Sequence, residues 1–237
     1  MKLLLSGVLL ICSTTLKAER AEVSFPTDFK ASFELYKRGV LVAETEYQLQ
    51  RKQQIVFQSN TSLKGFVALF KEDNITEQSL YSLATPVSAQ LNSYQFKQSG
   101  DKNKSISSIV NWQQQNITTT IDKQAVITSA LKQPIWDKHS IFLALMSRLD
   151  AETKRLTFNI LDKGKISKYD FNFTGTKEIE MDEDEWIKTS VWQRESKNRK
   201  TIFYLDPANR YIPVKIEQYK NQQTQATLWL KELNWYE

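Results

Sequence analysis

The chain has 237 residues, of which 41% are hydrophobic, 11% aromatic and 25% charged, a composition that excludes a disordered tail, a collagen and a polytopic membrane protein. A single cysteine and a single histidine remove most thiol, disulfide and zinc chemistry. The formal charge of +5 arises without any basic run longer than two residues, so nothing argues for a nucleic-acid partner.

Residues 1–18 read as a secretory signal. Lys2 gives the positive start, Leu3 to Cys12 is the apolar stretch, and Ser13 to Ala18 is the polar exit. The stretch is too short to cross a bilayer, which takes about 20 apolar residues. Cleavage after Ala18 is expected, with the protein exported to the periplasm and residues 19–237 forming one β-rich domain. Lipidation of Cys12 is the alternative, disfavoured because Ile11 precedes it where a small residue belongs. Cleavage removes Lys2 and Lys17 from the 32 basic residues and none of the 27 acidic ones, so the charge falls to +3.

From Phe29 the pattern has period two. Phe29, Ala31, Phe33 and Leu35 share one face and Lys30, Ser32 and Glu34 the other, as a half-buried strand requires. A glycine turn at Lys37-Arg38-Gly39 leads into Leu41, Ala43, Thr45, Tyr47 and Leu49, which predicts a hairpin over residues 29–50. The same alternation returns around Ile55, Leu91, Ile106, Ile117, Phe158, Phe171, Thr189, Ile202, Val214 and Leu228. Turn signals such as Gly100-Asp101, Lys163-Gly164 and Asp206-Pro207 separate the runs. Short strands near ten-residue spacing predict a mainly β fold, a curled antiparallel meander that is barrel-like or a sandwich.

Two segments depart from period two. Leu63, Phe66, Val67 and Phe70 fit a short helical segment of about two turns. Residues 137–150 carry Ile141, Phe142, Leu145, Met146 and Leu149 at helical spacing, with Asp137 as the N-cap and Trp136 able to staple onto Ile141. This amphipathic helix should cover a sheet face or plug a barrel. The stretch from Ala125 to Pro134 is expected to cross between the two halves of the sheet.

His139 stands beside Asp137 and Ser140, but adjacent residues at a helix start point in different directions and do not build a triad. Asp137→Ala is therefore expected to cost a cap, about 1 kcal/mol, and His139→Ala to be nearly silent. The acidic run Glu178, Glu180 and Asp182 to Glu185 lacks the glycine and spacing of a calcium loop and reads as a solvated turn. No glycine-framed serine, phosphate loop or HExxH motif occurs. No catalytic residue, metal or cofactor is expected.

The hairpin Phe33-Glu34-Leu35-Tyr36-Lys37-Arg38-Gly39, the strand entry at Pro86 and the helix start Asp137-Lys138-His139-Ser140 resemble the bacterial exported proteins grouped as domain of unknown function 3108. So does the ending Thr201-Ile202-Phe203-Tyr204-Leu205-Asp206 with Tyr211-Ile212-Pro213-Val214-Lys215. Where that family tends to show a tryptophan in the late strand, this chain has Phe203 or Tyr204. The resemblance implies a periplasmic, β-rich, non-enzymatic protein of a Gram-negative bacterium and transfers no catalytic residue.

The expected function is binding or carrying an apolar or amphipathic envelope ligand, a lipid or glycolipid. Leu63, Phe66, Val67 and Phe70 would form a lid at one end and the 137–150 helix would close the other. The interior is expected to be a solid core or an apolar cavity without charged lining. An interaction scaffold in cell-envelope assembly, docking an envelope protein through sheet edges, is the alternative, and a hydrolase built from scattered carboxylates ranks last.

Overall fold

A computed structural model describes residues 25–69, 73–85, 88–101, 103–122, 124–128, 131, 134–182 and 184–236. Residues 1–18, read as a signal in the sequence, Phe70 and Pro86 lie outside the described residues. Among the described residues, alternating side chains produce fifteen strands in one sheet. The first eight are β1 (Phe29–Lys37), β2 (Val40–Arg51), β3 (Ile55–Leu63), β4 (Asn74–Thr85), β5 (Ser88–Ser99), β6 (Lys104–Asn111), β7 (Asn116–Ile121) and β8 (Gln124–Thr128). The rest are β9 (Ile135–Asp137), β10 (Arg155–Asp162), β11 (Lys165–Asp182), β12 (Glu185–Ser196), β13 (Arg199–Asp206), β14 (Ile212–Lys220) and β15 (Gln223–Trp235). Among the described residues there is one α-helix, α1 (Ile141–Met146), which follows β9.

The order is β8-β7-β6-β5-β4-β3-β2-β1-β15-β14-β13-β12-β11-β10-β9. Neighbours are antiparallel except β9, which joins β10 in parallel. Pairing of β1 with β15 welds two meanders into one sheet. The β1–β2 hairpin forms as its sequence predicts, because Arg38 and Gly39 both take positive φ, 53° and 79°. That turn twists with the strands it joins.

The sheet curls until its two halves share one core. Phe29, Phe33, Phe57 and Tyr81 from the first half meet Phe158, Phe171, Trp192 and Phe203 from the second, with Phe142 to Met146 of α1 between them. The curl is barrel-like but not hydrogen-bonded shut. β9 packs beside β5, and the β10–β11 turn presses on β7, where a Cβ on Gly164 would lie 3.1 Å from that of Thr119. A second, smaller cluster of Ile179, Tyr204 and Val214 is buried apart from this core.

Strands β4, β8 and β9 are absent from the sequence reading. β4 escapes it because its inward face alternates Ile75, Glu77, Ser79 and Tyr81, so the apolar period is interrupted by polar groups that are themselves enclosed. The expected helix over 137–150 is shorter. Ile135–Asp137 bonds in parallel to β10, and the α-helix runs only from Ile141 to Met146. Its role as a plug within the curled sheet holds. The stretch from Ala125 to Pro134, expected to cross between the halves, instead begins as strand, since Ala125 to Thr128 belong to β8; β8 and β9 lie at opposite ends of the strand order.

Candidate functional site

The fold keeps Asp137 and Ser140 together and gives His139 separate partners, so the three do not form a triad. Asp137, His139 and Ser140 are all buried at the entry to α1. Asp137 Oδ1 accepts from the Ser140 amide at 3.0 Å, and Oδ2 accepts from the Tyr81 hydroxyl at 3.2 Å. Asp137 thus belongs to β9 and ties the turn before α1 to β4, a larger task than capping a helix. Trp136 stacks on Phe25, with centroids 5.3 Å apart, where the sequence suggested a staple to Ile141.

His139 lies between Ser79 Oγ on Nδ1 and Ser59 Oγ on Nε2, each at 3.0 Å. A neutral imidazole has one donor and one acceptor nitrogen, so the ring uses both between the two hydroxyls. The ring also stacks on Phe57 at 4.5 Å and Tyr47 at 5.9 Å. Burial pushes its pKa down to about 3, so it is neutral at ordinary pH. The expectation that His139→Ala is silent is therefore corrected: the ring is a packed, twice-bonded part of the core. Burial raises the pKa of Asp137 and of Glu77, which accepts from Tyr94.

Beyond this junction the curled sheet opens. A cleft of about 710 Å³ has Tyr47, Phe142, Phe171, Phe203, Ile216 and Leu228 among its walls, and Lys138, Asp162, Arg194, Arg199 and Lys220 among its charged residues. A side lobe of about 330 Å³ meets it at Tyr47, Lys138, His139 and Asp162 and extends to Glu77, Tyr94 and Lys104. Both volumes fall in the range of about 300–1,000 Å³ occupied by ligand sites.

Strand register explains how the cleft is graded. Trp192, Phe203 and Ile216 form one cross-strand row, Arg194, Thr201 and Gln218 the next, and Ser196, Arg199 and Lys220 the last before the turns. These rows share a face because side chains alternate with period two, and they run from apolar through polar to cationic. The expected cavity without charged lining is corrected: its depth is apolar and its mouth is charged. Sequence patterning missed Arg194 and Lys220 because a charge at a strand end reads as solvent-facing.

The lid residues fall at the same end of the sheet as this mouth. Chain direction puts the 3-10 turn Gly65–Leu69, which follows β3, with the β12–β13 and β14–β15 turns. Leu63 and Val67 are half-buried, while Phe66 is 68% and Leu69 75% exposed. Gly65 is required here: its φ is +61°, and an added Cβ would sit 2.8 Å from the Leu41 carbonyl oxygen. A Gly65→Val variant is expected to lose about 1–2 kcal/mol, seen as a lower denaturation midpoint in urea. Among the described residues, no group of three or more His, Cys, Asp or Glu side chains is placed to hold a metal.

A family model described as protein of unknown function (DUF3108) matches residues 29–227. No curated protein matches the chain. The crystal structure of a β-barrel-like protein of domain of unknown function DUF1849 from Brucella abortus superposes with a TM-score of 0.56. It covers 89% of this chain and 98% of its own at 8% identity, a likeness of fold alone.

Proposed function

The chain belongs to the DUF3108 family, and we propose that this member is exported to the periplasm and carries an amphipathic ligand in the open end of its curled sheet. One observation carries this reading: α1 and its aromatic neighbours fill part of the enclosed space, while the remainder is a cleft whose walls grade from apolar to charged. A wholly apolar ligand would leave the charged mouth without use, and a wholly polar one would desolvate the aromatic walls for nothing. Leu63, Phe66 and Val67 act as the lid, and Phe66, 68% exposed, presents an aromatic face to a bound tail.

Titration with a fluorescent fatty-acid analogue is expected to saturate with one site per chain. Phe66→Ser should weaken that binding by about threefold to tenfold, the worth of about one buried aromatic contact, with an unchanged circular dichroism spectrum. Absence of saturable binding by the wild type would defeat the carrier reading. Intact-mass measurement on periplasmic protein is expected to give a chain starting at Glu19, and an acylated Cys12 would instead place the protein on a membrane. Docking of an envelope protein is the second reading. It draws on the edge strand β8, where Val126 is exposed.

A further inference from the structure

Arg199 and Lys220 are direct cross-strand partners, and Arg194 lies on the same face one row deeper. Like charges placed directly opposite on a sheet repel and destabilise it. Some cations elsewhere are matched to carboxylates: Lys30 with Glu46, Lys64 with Glu44, Lys215 with Glu217 and Lys231 with Glu34. Among the described residues no carboxylate forms an ion pair with Arg194, Arg199 or Lys220. Arg194 is held by another means, its guanidinium carbon 3.4 Å from the centroid of the Tyr169 ring. Stacking fixes the plane and leaves the N–H edges of the fork to donate. All three residues line the same cleft as the aromatic walls. Asp162, the one acidic residue lining that cleft, is engaged by Lys138 at 3.8 Å.

We infer that the cleft is selective for an anionic amphiphile, with a phosphate or carboxylate head held by Arg194, Arg199 and Lys220 and an acyl-type tail laid against Phe171, Phe203 and Ile216. This rests on the reading of the cleft as an amphipathic-ligand site and adds the sign and place of the head group. Arg194 supplies the planar donor fork suited to an oxyanion, while Arg199 and Lys220 supply charge that the protein itself leaves uncompensated. The bound head would relieve the repulsion between Arg199 and Lys220, so selectivity and stability should rise together.

The test uses displacement of neutral N-phenyl-1-naphthylamine from the full mature chain by hexadecyl phosphate, hexadecanoate and hexadecanol, with inorganic phosphate as a tail-free arm. The two anions are expected to displace the probe at about tenfold lower concentration than hexadecanol, and the phosphate–carboxylate ratio identifies the preferred head. Inorganic phosphate at the same concentrations should leave the probe in place. Arg199→Gln combined with Lys220→Gln should abolish the tenfold preference while hexadecanol stays unchanged. Both residues are exposed, so folding is preserved, and circular dichroism verifies it. Rising salt should shrink the wild-type preference toward that of the double variant. Equal displacement by hexadecanol, or a preference surviving in the double variant, overturns the inference and leaves the carrier reading standing. Failure of all three amphiphiles and of the probe itself to bind overturns both.

Discussion

Replacing His139 by alanine is expected to destabilise the protein by about 3 kcal/mol, measured by urea denaturation at pH 7.5. Two losses combine. Removing a ring packed against Phe57 and Tyr47 leaves a void whose lining loses its contacts. The Ser59 and Ser79 hydroxyls, both buried, also lose the ring nitrogens they bond at 3.0 Å, and an enclosed polar group without a partner costs about 1–3 kcal/mol. His139→Gln retains a donor and an acceptor and should lose distinctly less. A silent His139→Ala variant would mean that the ring does not join α1 to β3 and β4.

The same residue sets a pH dependence. Its folded pKa of about 3 lies below the ordinary 6.5, so the unfolded chain takes up a proton before the native one does. The stability concerned is fully present above pH 6.5 and is lost as pH falls toward 3. At pH 5 the loss should be about 2 kcal/mol, and near pH 3 about 4–5 kcal/mol. Asp137 and Glu77 act in the opposite direction. Their folded pKa values are raised by burial, so native-state protonation returns stability as pH falls through those raised values. Melting temperatures between pH 7.5 and 4.5 should therefore fall in the wild type and fall less in His139→Gln. Equal slopes would exclude His139 as the group responsible.

Legibility in the sequence followed the solvent. β1 was readable because Phe29, Ala31 and Phe33 are buried while Lys30 and Ser32 on the other face are not, and period two survives wherever the interior is apolar. β4 was not, since Glu77 and Ser79 turn inward to meet Tyr94 and His139, and only the folded chain brings those partners within reach. The plug was visible as an apolar stripe, but its start was not, because Asp137, read as the N-cap, is drawn into β9 by parallel pairing with β10. The cleft mouth was the least legible part. Arg194 and Lys220 are 26 positions apart in the numbering, and what brings them to one face is the register of β12, β13 and β14, a long-range property that local patterning does not encode.

Phe142→Ala is expected to produce the largest single loss, about 3–5 kcal/mol, read as a shift of the denaturation midpoint. The ring meets Tyr47 edge-on at 5.0 Å and Phe57 edge-on at 5.2 Å, and lies tilted against Phe29 at 6.4 Å and Phe33 at 6.5 Å. Such contacts each add about 0.5–1.5 kcal/mol beyond the area they bury. The helix that carries it has six residues, far below the length at which a helix persists alone, and its Ser140 N-cap makes no side-chain capping bond. The segment is therefore helical because the surrounding sheet grips its apolar side chains, and Phe142 is the one gripped by β1, β2 and β3 together. Phe142→Leu should retain most of that grip and lose about 1–2 kcal/mol. Because the same ring forms part of the cleft wall, the alanine variant should also deepen the cleft, so that a tail too long for the wild type gains affinity as stability falls. A Phe142→Ala protein with an unchanged midpoint would show that the plug is held from the β10 and β14 side instead, where α1 also makes contact. The boundary between filled core and open cleft would then lie with Phe158 and Phe203 rather than with the helix.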